Sequence, residues 1–550
     1  MSGLWLAGLI LLPLLSGSTL LGTLLFTPGQ SVDEPSIIER YIALTVTGLA
    51  TVCAAALALI GDQEVPFQLN WLPGAGAMTF SLGTTGLYAA LATTSTAFLA
   101  LLMCYLPPYL PSRESSRPVY RRAKLRAPST VYPSSLLLLT LAAANTAFLS
   151  GHFLGRYVAL EIAGVCIALV PLLTLARDTG PRLAKFVYLV LRVGDTGFLI
   201  GMLILMNTAG TLNIGPALEF GASLDAPHLT WVIIGFVLAV WVKIGAWPFE
   251  GWQQIGEQFD ATSHGWTYAT VMPNLGFYLL YRITPLLALQ PALQTWVLWL
   301  SLGGMVLVTV IALLKRDLLP AVVYLNAAQG GLALCLAAGG LQKLIVTFML
   351  VATPLRLLFL WGSDALQDKS PRVHRIGGVV IGVGSSLLTG FNGYLVWQLA
   401  QSMAVSWTAL ILLAFIVILM SGRYLAAAMF SKPDRFQKTC QVREPEIPSQ
   451  VATLDRGLLK LAEALRAWFE IGLLERAVTW TPRVFVGTAE FLHQTIEQQG
   501  LEGILRSTAK GAFMFSRWMQ DRHTGRLRAN LQWVFVALLV ITAILVWQGW

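Results

Sequence analysis

The 550-residue sequence is 56% hydrophobic and only 12% charged, with a mean hydropathy of +0.67. A soluble globular chain is excluded, because so much apolar surface could not be kept from water. The net charge of +9 would suit nucleic acid, but the basic residues lie in short loops between apolar runs, a topology signal, and no nucleic-acid partner is implied.

Uncharged apolar runs of about 20 residues recur along the chain, each long enough to cross the hydrocarbon core as a helix. They lie near 3–26, 39–61, 81–109, 132–152, 153–176, 183–207, 228–246, 263–289, 293–314, 317–338, 341–362, 377–400, 405–430 and 530–549. Without the period-two alternation of a membrane barrel, the reading is an all-α polytopic membrane protein of about fourteen transmembrane helices. The first run has no basic flank or small-residue cleavage site, so it is read as a retained helix rather than a signal peptide. Residues 62–80, DQEVPFQLNWLPGAGAMTF, alternate polar and apolar side chains around Pro and Gly, which predicts an external interfacial hairpin. Loops carrying Arg113, Arg117, Arg121, Arg122, Lys124 and Arg126, then Arg177, Arg182 and Lys185, then Lys369, Arg372 and Arg375 fall on one side. The other side collects little beyond Arg156, Arg282 and Lys343, so the expectation is an inner membrane with the N-terminus outside.

An ionisable group within a span is costly and needs a partner, a watery cavity or a function. Glu161 lies in RYVALEIAGVCIALV, Arg192 and Asp195 in LVLRVGDTGFLIG, and Lys243 in FVLAVWVKIGAWPFEGW. Pro248 follows Lys243 closely enough to break the helix near the lysine and free backbone groups. Burial and a neighbouring carboxylate would pull the lysine's proton affinity in opposite directions, as a proton relay requires. Simpler readings stand beside this one. Arg192 and Asp195, three apart, suit a fixed bridge; Lys243 could snorkel to the interface; Glu161 could have a structural partner; and His264, beside Asp260, is either interfacial or a relay.

After residue 430 the composition changes. Residues 431–457 form a polar linker, and 458–527 mix Leu, Phe and Trp with charged residues at helical spacing, an amphipathic lateral segment broken at Pro482. A helical hairpin folded back on the bundle would also fit. Residues 530–550 are read as a final transmembrane anchor. The cysteines Cys53, Cys104, Cys166, Cys335 and Cys440 form no CxxC pair, which argues against a metal cluster or disulfide framework.

The sequence resembles the antiporter-like subunits shared by respiratory complex I and multi-subunit sodium/proton antiporters, in particular the L-type (subunit 5) branch. ALEIAG at Glu161 resembles the family's WELVG, LRVGDTGFLIG its RVGD segment, and KIGAWPFEGW its KSAQFPLHxW with the lysine at Lys243. KRDLLPAVVYLNAAQGG matches KxDIKRxLAYSTVSQLG at Asp317, Tyr324, Gln329 and Gly331, and DRHTGRLRANLQ resembles LQTGxLRxY. The resemblance implies two inverted five-helix repeats, 132–289 and 293–430, each with a broken helix, behind N-terminal helices in 1–131. It also implies that Glu161 and Lys243 act as a coupling pair, with Arg192, Asp195, His264, Tyr268, Arg356 and Tyr394 lining the route. Three positions depart from the family. Tyr268 stands where a histidine is usual, Arg356 replaces a lysine with Phe348 and Ala352 in place of the histidines before it, and Tyr394 replaces the terminal lysine. The second half-channel is therefore read as altered, and the two helices usual before the lateral helix as missing.

The function expected from this resemblance is proton translocation in a complex I-like NADH:quinone oxidoreductase, with the redox centres on other chains. No nucleotide, flavin, iron–sulfur or quinone motif is present, and no cofactor or metal is expected here. Two alternatives remain: a proton-conducting membrane subunit of a two-component complex that accumulates dissolved inorganic carbon, partnered by a large soluble carbonic-anhydrase-like zinc protein, and a non-conducting scaffold.

Overall fold

The computed structural model describes residues 2–26, 37–60, 67–70, 79–82, 86–105, 134–175, 179–259, 264–315, 318–366, 371–402 and 406–430. The basic loop 113–126, the linker, the lateral segment and the final span lie outside the described residues. The contacts below belong to one compact unit, residues 1–24, 29–448 and 548–550; a second unit comprises 25–28 and 449–547.

Helices α1 (Ser2–Phe26) and α2 (Ile37–Ile60) are followed by the antiparallel strands β1 (Phe67–Asn70) and β2 (Thr79–Leu82), which pair Phe67 with Leu82 and Asn70 with Thr79. The hairpin expected around 62–80 is thus a short β-ribbon. Then come α3 (Leu87–Tyr105), α4 (Ser134–Leu149), α5 (Phe153–Thr174), α6 (Gly180–Ala209), α7 (Ile214–Gly221) and α8 (Ala226–Ile244). After α8 the chain breaks into α9 (Gly251–Gln254) and a 3-10 turn (Ile255–Gln258), then re-enters through a π-helical segment (Gly265–Val271) continuous with α10 (Met272–Ala288). Five more helices follow: α11 (Pro291–Leu314), α12 (Leu318–Ala338), α13 (Gln342–Ala365), α14 (Pro371–Gln401) and α15 (Trp407–Phe430).

Every expected run up to residue 430 holds a helix, and eleven of these helices are long and apolar enough to cross a membrane. The sequence reading missed the short α7 and α9, which lie between spans. The core centres on α12, where every residue but Pro320 and Tyr324 is buried. Its AAQGGLALCLAA stretch makes that possible: a Cβ on Gly330 would lie 2.5 Å from Ile244 Cγ2, and one on Gly331 2.4 Å from Met305 Cγ. In an apolar solvent, close backbone approach of this kind is a main source of helix association.

One expectation is corrected. The second repeat was expected to contain a broken helix, yet α14 runs unbroken for 31 residues. The break after α8 has a left-handed Gly245 (φ +66°) followed by Pro248. In α14 the only proline is Pro371, the first residue of the helix, where its missing N–H costs nothing. The hydrogen-bond ladder through Gly390 and Gly393 is never interrupted.

Candidate functional site

Lys243 lies in the last turn of α8, fully buried, so it does not snorkel to an interface. Its ammonium donates to Asp195 Oδ1 on α6. Asp195 Oδ2 is 3.4 Å from Arg192 Nη2, one turn back on the same helix, and Arg192 Nη1 pairs with Glu161 Oε2 on α5. The four charges form an alternating row, Glu161, Arg192, Asp195, Lys243, which sums to zero. Glu161 and Lys243, the expected coupling pair, do not pair with each other directly; each takes its counter-charge from α6. The row runs from a partly exposed end (Glu161 19%, Arg192 23%) to a sealed one (Asp195 2%, Lys243 0%). Tyr188 stacks on Arg192 with 4.9 Å between guanidinium and ring centroid.

The α6–α8 contact exists because α6 offers glycine at 194, 197 and 201. A Cβ on Gly197 would sit 2.6 Å from Gly235 O of α8, and one on Gly194 2.9 Å from Val242 Cβ. Only a bare backbone admits α8 closely enough for Asp195 to meet Lys243.

Side chains beyond the break stabilise the end of α8. Trp252 Nε1 donates to Val242 O (2.9 Å), which also accepts from Gly245 N–H, and Gln253 Nε2 to Ile244 O (2.8 Å), a carbonyl that the helix end leaves orphaned. The positive Lys243 also suits the negative end of the helix dipole.

His264 is buried rather than interfacial, with its ring pressed on Gly256, where a Cβ would lie 2.3 Å from His264 Cδ2. Its sequence neighbour Asp260 lies outside the described residues. Tyr268 is buried in the π-helical segment, with its ring centroid 5.9 Å from Phe259, 6.0 Å from Trp252 and 6.1 Å from His264. These two residues gather around the break.

In the second half, Arg356 on α13 is fully buried, donating Nε to Gln329 Oε1 (3.0 Å) and Nη2 to Asn326 O (3.1 Å) of α12. Tyr394, expected to line the route, is 44% exposed beside Trp397. Helical period explains this: Leu388, Asn392, Leu395 and Leu399 make the buried face of α14, and Tyr394 falls on the opposite side. The buried polar group of that stretch is Asn392.

Sequence reasoning missed a thread of neutral polar groups, because it searched the spans only for ionisable residues. Asn274 of α10 donates to Thr96 Oγ1 of α3 (3.2 Å) and accepts from Thr353 Oγ1 of α13 (2.7 Å). An asparagine in an apolar run was the available signal. Arg156, assigned to an external loop, is buried and donates to Ala147 O (2.9 Å) and Ser150 O (2.8 Å) at the end of α4. Among the described residues no three His, Cys, Asp or Glu side chains gather as metal ligands.

Residues 150–379 match the sequence family described as NADH:quinone oxidoreductase/Mrp antiporter, TM. Similar curated proteins include NADH-quinone oxidoreductase subunit L of Campylobacter jejuni, 24% identical over 60% of this chain and 57% of its own length. The chloroplastic NAD(P)H-quinone oxidoreductase subunit 5 of Adiantum capillus-veneris is 25% identical over 59% of this chain and 44% of its own. The chain thus spans about half the length of these relatives. Among solved structures, a chain of the Mrp complex from a Dietzia species superposes with a TM-score of 0.62 at 15% identity, covering 78% of this chain and 80% of that one. A chain of respiratory complex I from Thermus thermophilus gives 0.58 at 16% identity, covering 78% and 90%. These two likenesses establish a shared fold.

Proposed function

For a chain whose residues 150–379 belong to the NADH:quinone oxidoreductase/Mrp antiporter transmembrane family, we propose a role as a proton-translocating membrane subunit of a larger assembly. The observation that carries this reading is the fully buried Lys243 paired with an Asp195 that also neighbours Arg192. Arginine is a permanent cation, so Asp195 faces one fixed charge and one group that can carry a proton. When Asp195 leans toward Arg192, Lys243 loses its counter-charge and releases its proton; when Asp195 returns, Lys243 is reloaded. Displacing Glu161 from Arg192 at the partly exposed end would drive the first state. A scaffold would have little reason to bury such a row in lipid. The assembly would sit in an inner membrane, with the N-terminus outside, beside other antiporter-like or redox subunits.

A second reading concerns the partner. Arg356 is a poor proton carrier, Tyr394 faces outward and α14 is unbroken. These features favour a specialised L-type paralogue working with a large soluble zinc protein in inorganic-carbon accumulation, rather than a standard complex I pump.

The test is proton flux into proteoliposomes under an imposed gradient, with sodium replaced by choline in a parallel arm. Lys243→Ala and Glu161→Gln should abolish flux, and full flux in Lys243→Ala would falsify the mechanism. Zinc analysis of the intact assembly, purified through this chain, separates the two partner readings.

A further inference from the structure

Three cations are fully or almost fully buried among the described residues: Arg156, Lys243 and Arg356. Lys243 has the Asp195 carboxylate. Arg156 donates to two carbonyls where α4 ends, and the negative end of that helix dipole faces its charge. Arg356 has neither. It lies within α13 against the middle of α12, bonded only to the neutral Gln329 side chain and the Asn326 carbonyl, with the Phe277 ring 5.1 Å from its guanidinium carbon. No carboxylate among the described residues reaches it. Arginine cannot shed its proton to escape the cost of burial, and neutral hydrogen bonds do not replace a counter-charge in a low dielectric.

The groups around it are short of an acceptor. Arg356 Nη1, Gln329 Nε2 and the Tyr424 hydroxyl are all buried without a hydrogen-bond partner. Arg356 takes the amide oxygen of Gln329, which leaves that amide's N–H groups beside the guanidinium. Tyr424 of α15 is fully buried, close enough to Arg356 for the two to interact electrostatically, and its ring stacks on Phe359 at 3.9 Å. One permanent positive charge and three unused donor groups thus lie on α12, α13 and α15, with Tyr424 stacked on Phe359 one turn along α13 from Arg356.

We propose that this site holds a small monovalent anion of halide size, bound by Arg356 Nη1, Gln329 Nε2 and the Tyr424 hydroxyl. The anion neutralises Arg356 and locks the second repeat around a fixed, non-titrating pair. The proposal does not depend on the chain moving protons.

The test uses the full chain in detergent, unfolded by heat at constant ionic strength with chloride exchanged for gluconate. Chloride and bromide should each raise the midpoint over gluconate. Tyr424→Phe, which loses one donor to the ion, should need roughly tenfold more chloride for the same shift. Arg356→Gln should lose the anion dependence, and Arg372→Gln, at an exposed position, should keep it. Identical midpoints in chloride and gluconate for the unmodified chain would overturn the proposal, as would an undiminished chloride response in Arg356→Gln. If Arg356→Gln does not fold, bromide anomalous scattering from crystals of the unmodified chain decides. A peak beside Arg356 and Tyr424 supports the site, and its absence refutes it.

Discussion

Asp195 stands between two cations, accepting from Lys243 across the α6–α8 interface while its second oxygen lies 3.4 Å from Arg192 of its own helix. The carboxylate is almost fully buried and is the counter-charge of Lys243, whereas Arg192 also has Glu161.

Removing that charge should therefore cost both stability and flux. Asp195→Asn leaves a buried ammonium facing a neutral amide, and breaking one partner of a buried pair typically costs about 3–5 kcal/mol. The double variant Asp195→Asn with Lys243→Met should regain most of the stability and none of the flux. A thermal-unfolding series in detergent, paired with proteoliposome assays, checks this; additive losses in the double variant would show that the two residues are not coupled.

The glycine contact between α6 and α8 sets the distance over which the row acts. Gly197→Ala drives a methyl into the Gly235 carbonyl, 2.6 Å away. The expected loss is about 1–3 kcal/mol, with reduced flux as Asp195 moves from Lys243. Gly303→Ala meets nothing within 4 Å and should be neutral or stabilising by up to about 1 kcal/mol. Unfolding midpoints of the two variants should differ in sign.

The α8 break should be sensitive to its side-chain caps. Gln253→Met keeps the volume but removes the donor to Ile244 O, at a cost of about 1–3 kcal/mol for the orphaned buried carbonyl. Faster hydrogen exchange at the end of α8 is the expected signature, and unchanged protection would argue that water caps the helix equally well.

Tyr394→Phe should leave proton flux within about twofold of the unmodified chain, because the side chain lies on the exposed face of α14 and surface changes rarely exceed a few tenths of a kcal/mol. A tenfold loss would mean that Tyr394 contacts something outside this chain.

Much of the fold was legible in the sequence because lipid imposes a severe rule: backbone groups must be satisfied within each segment, so apolar length alone marks helices. The four charged residues of the row were legible for the same reason, standing out against uncharged surroundings. Their pairing was not legible. Which carboxylate meets which cation depends on the rotation of each helix about its axis and on how closely two backbones approach, and the glycines at 194, 197 and 201 decide that only once Gly235 lies opposite them.

The same division holds for the second half. Motif comparison could align Tyr394 with a channel lysine, but the side of α14 that packs inward is set by Leu388, Leu395 and Leu399 meeting their neighbours. Neutral amides such as Asn274 and Asn392 carry no charge to draw attention, and their importance comes from burial. The sequence by itself determined a polytopic helical membrane protein with four costly charges and a break after Lys243. Tertiary structure alone decided that Glu161 and Lys243 are joined by ion pairs through Arg192 and Asp195, because ion pairing at contact distance depends on packing geometry that residue spacing does not encode.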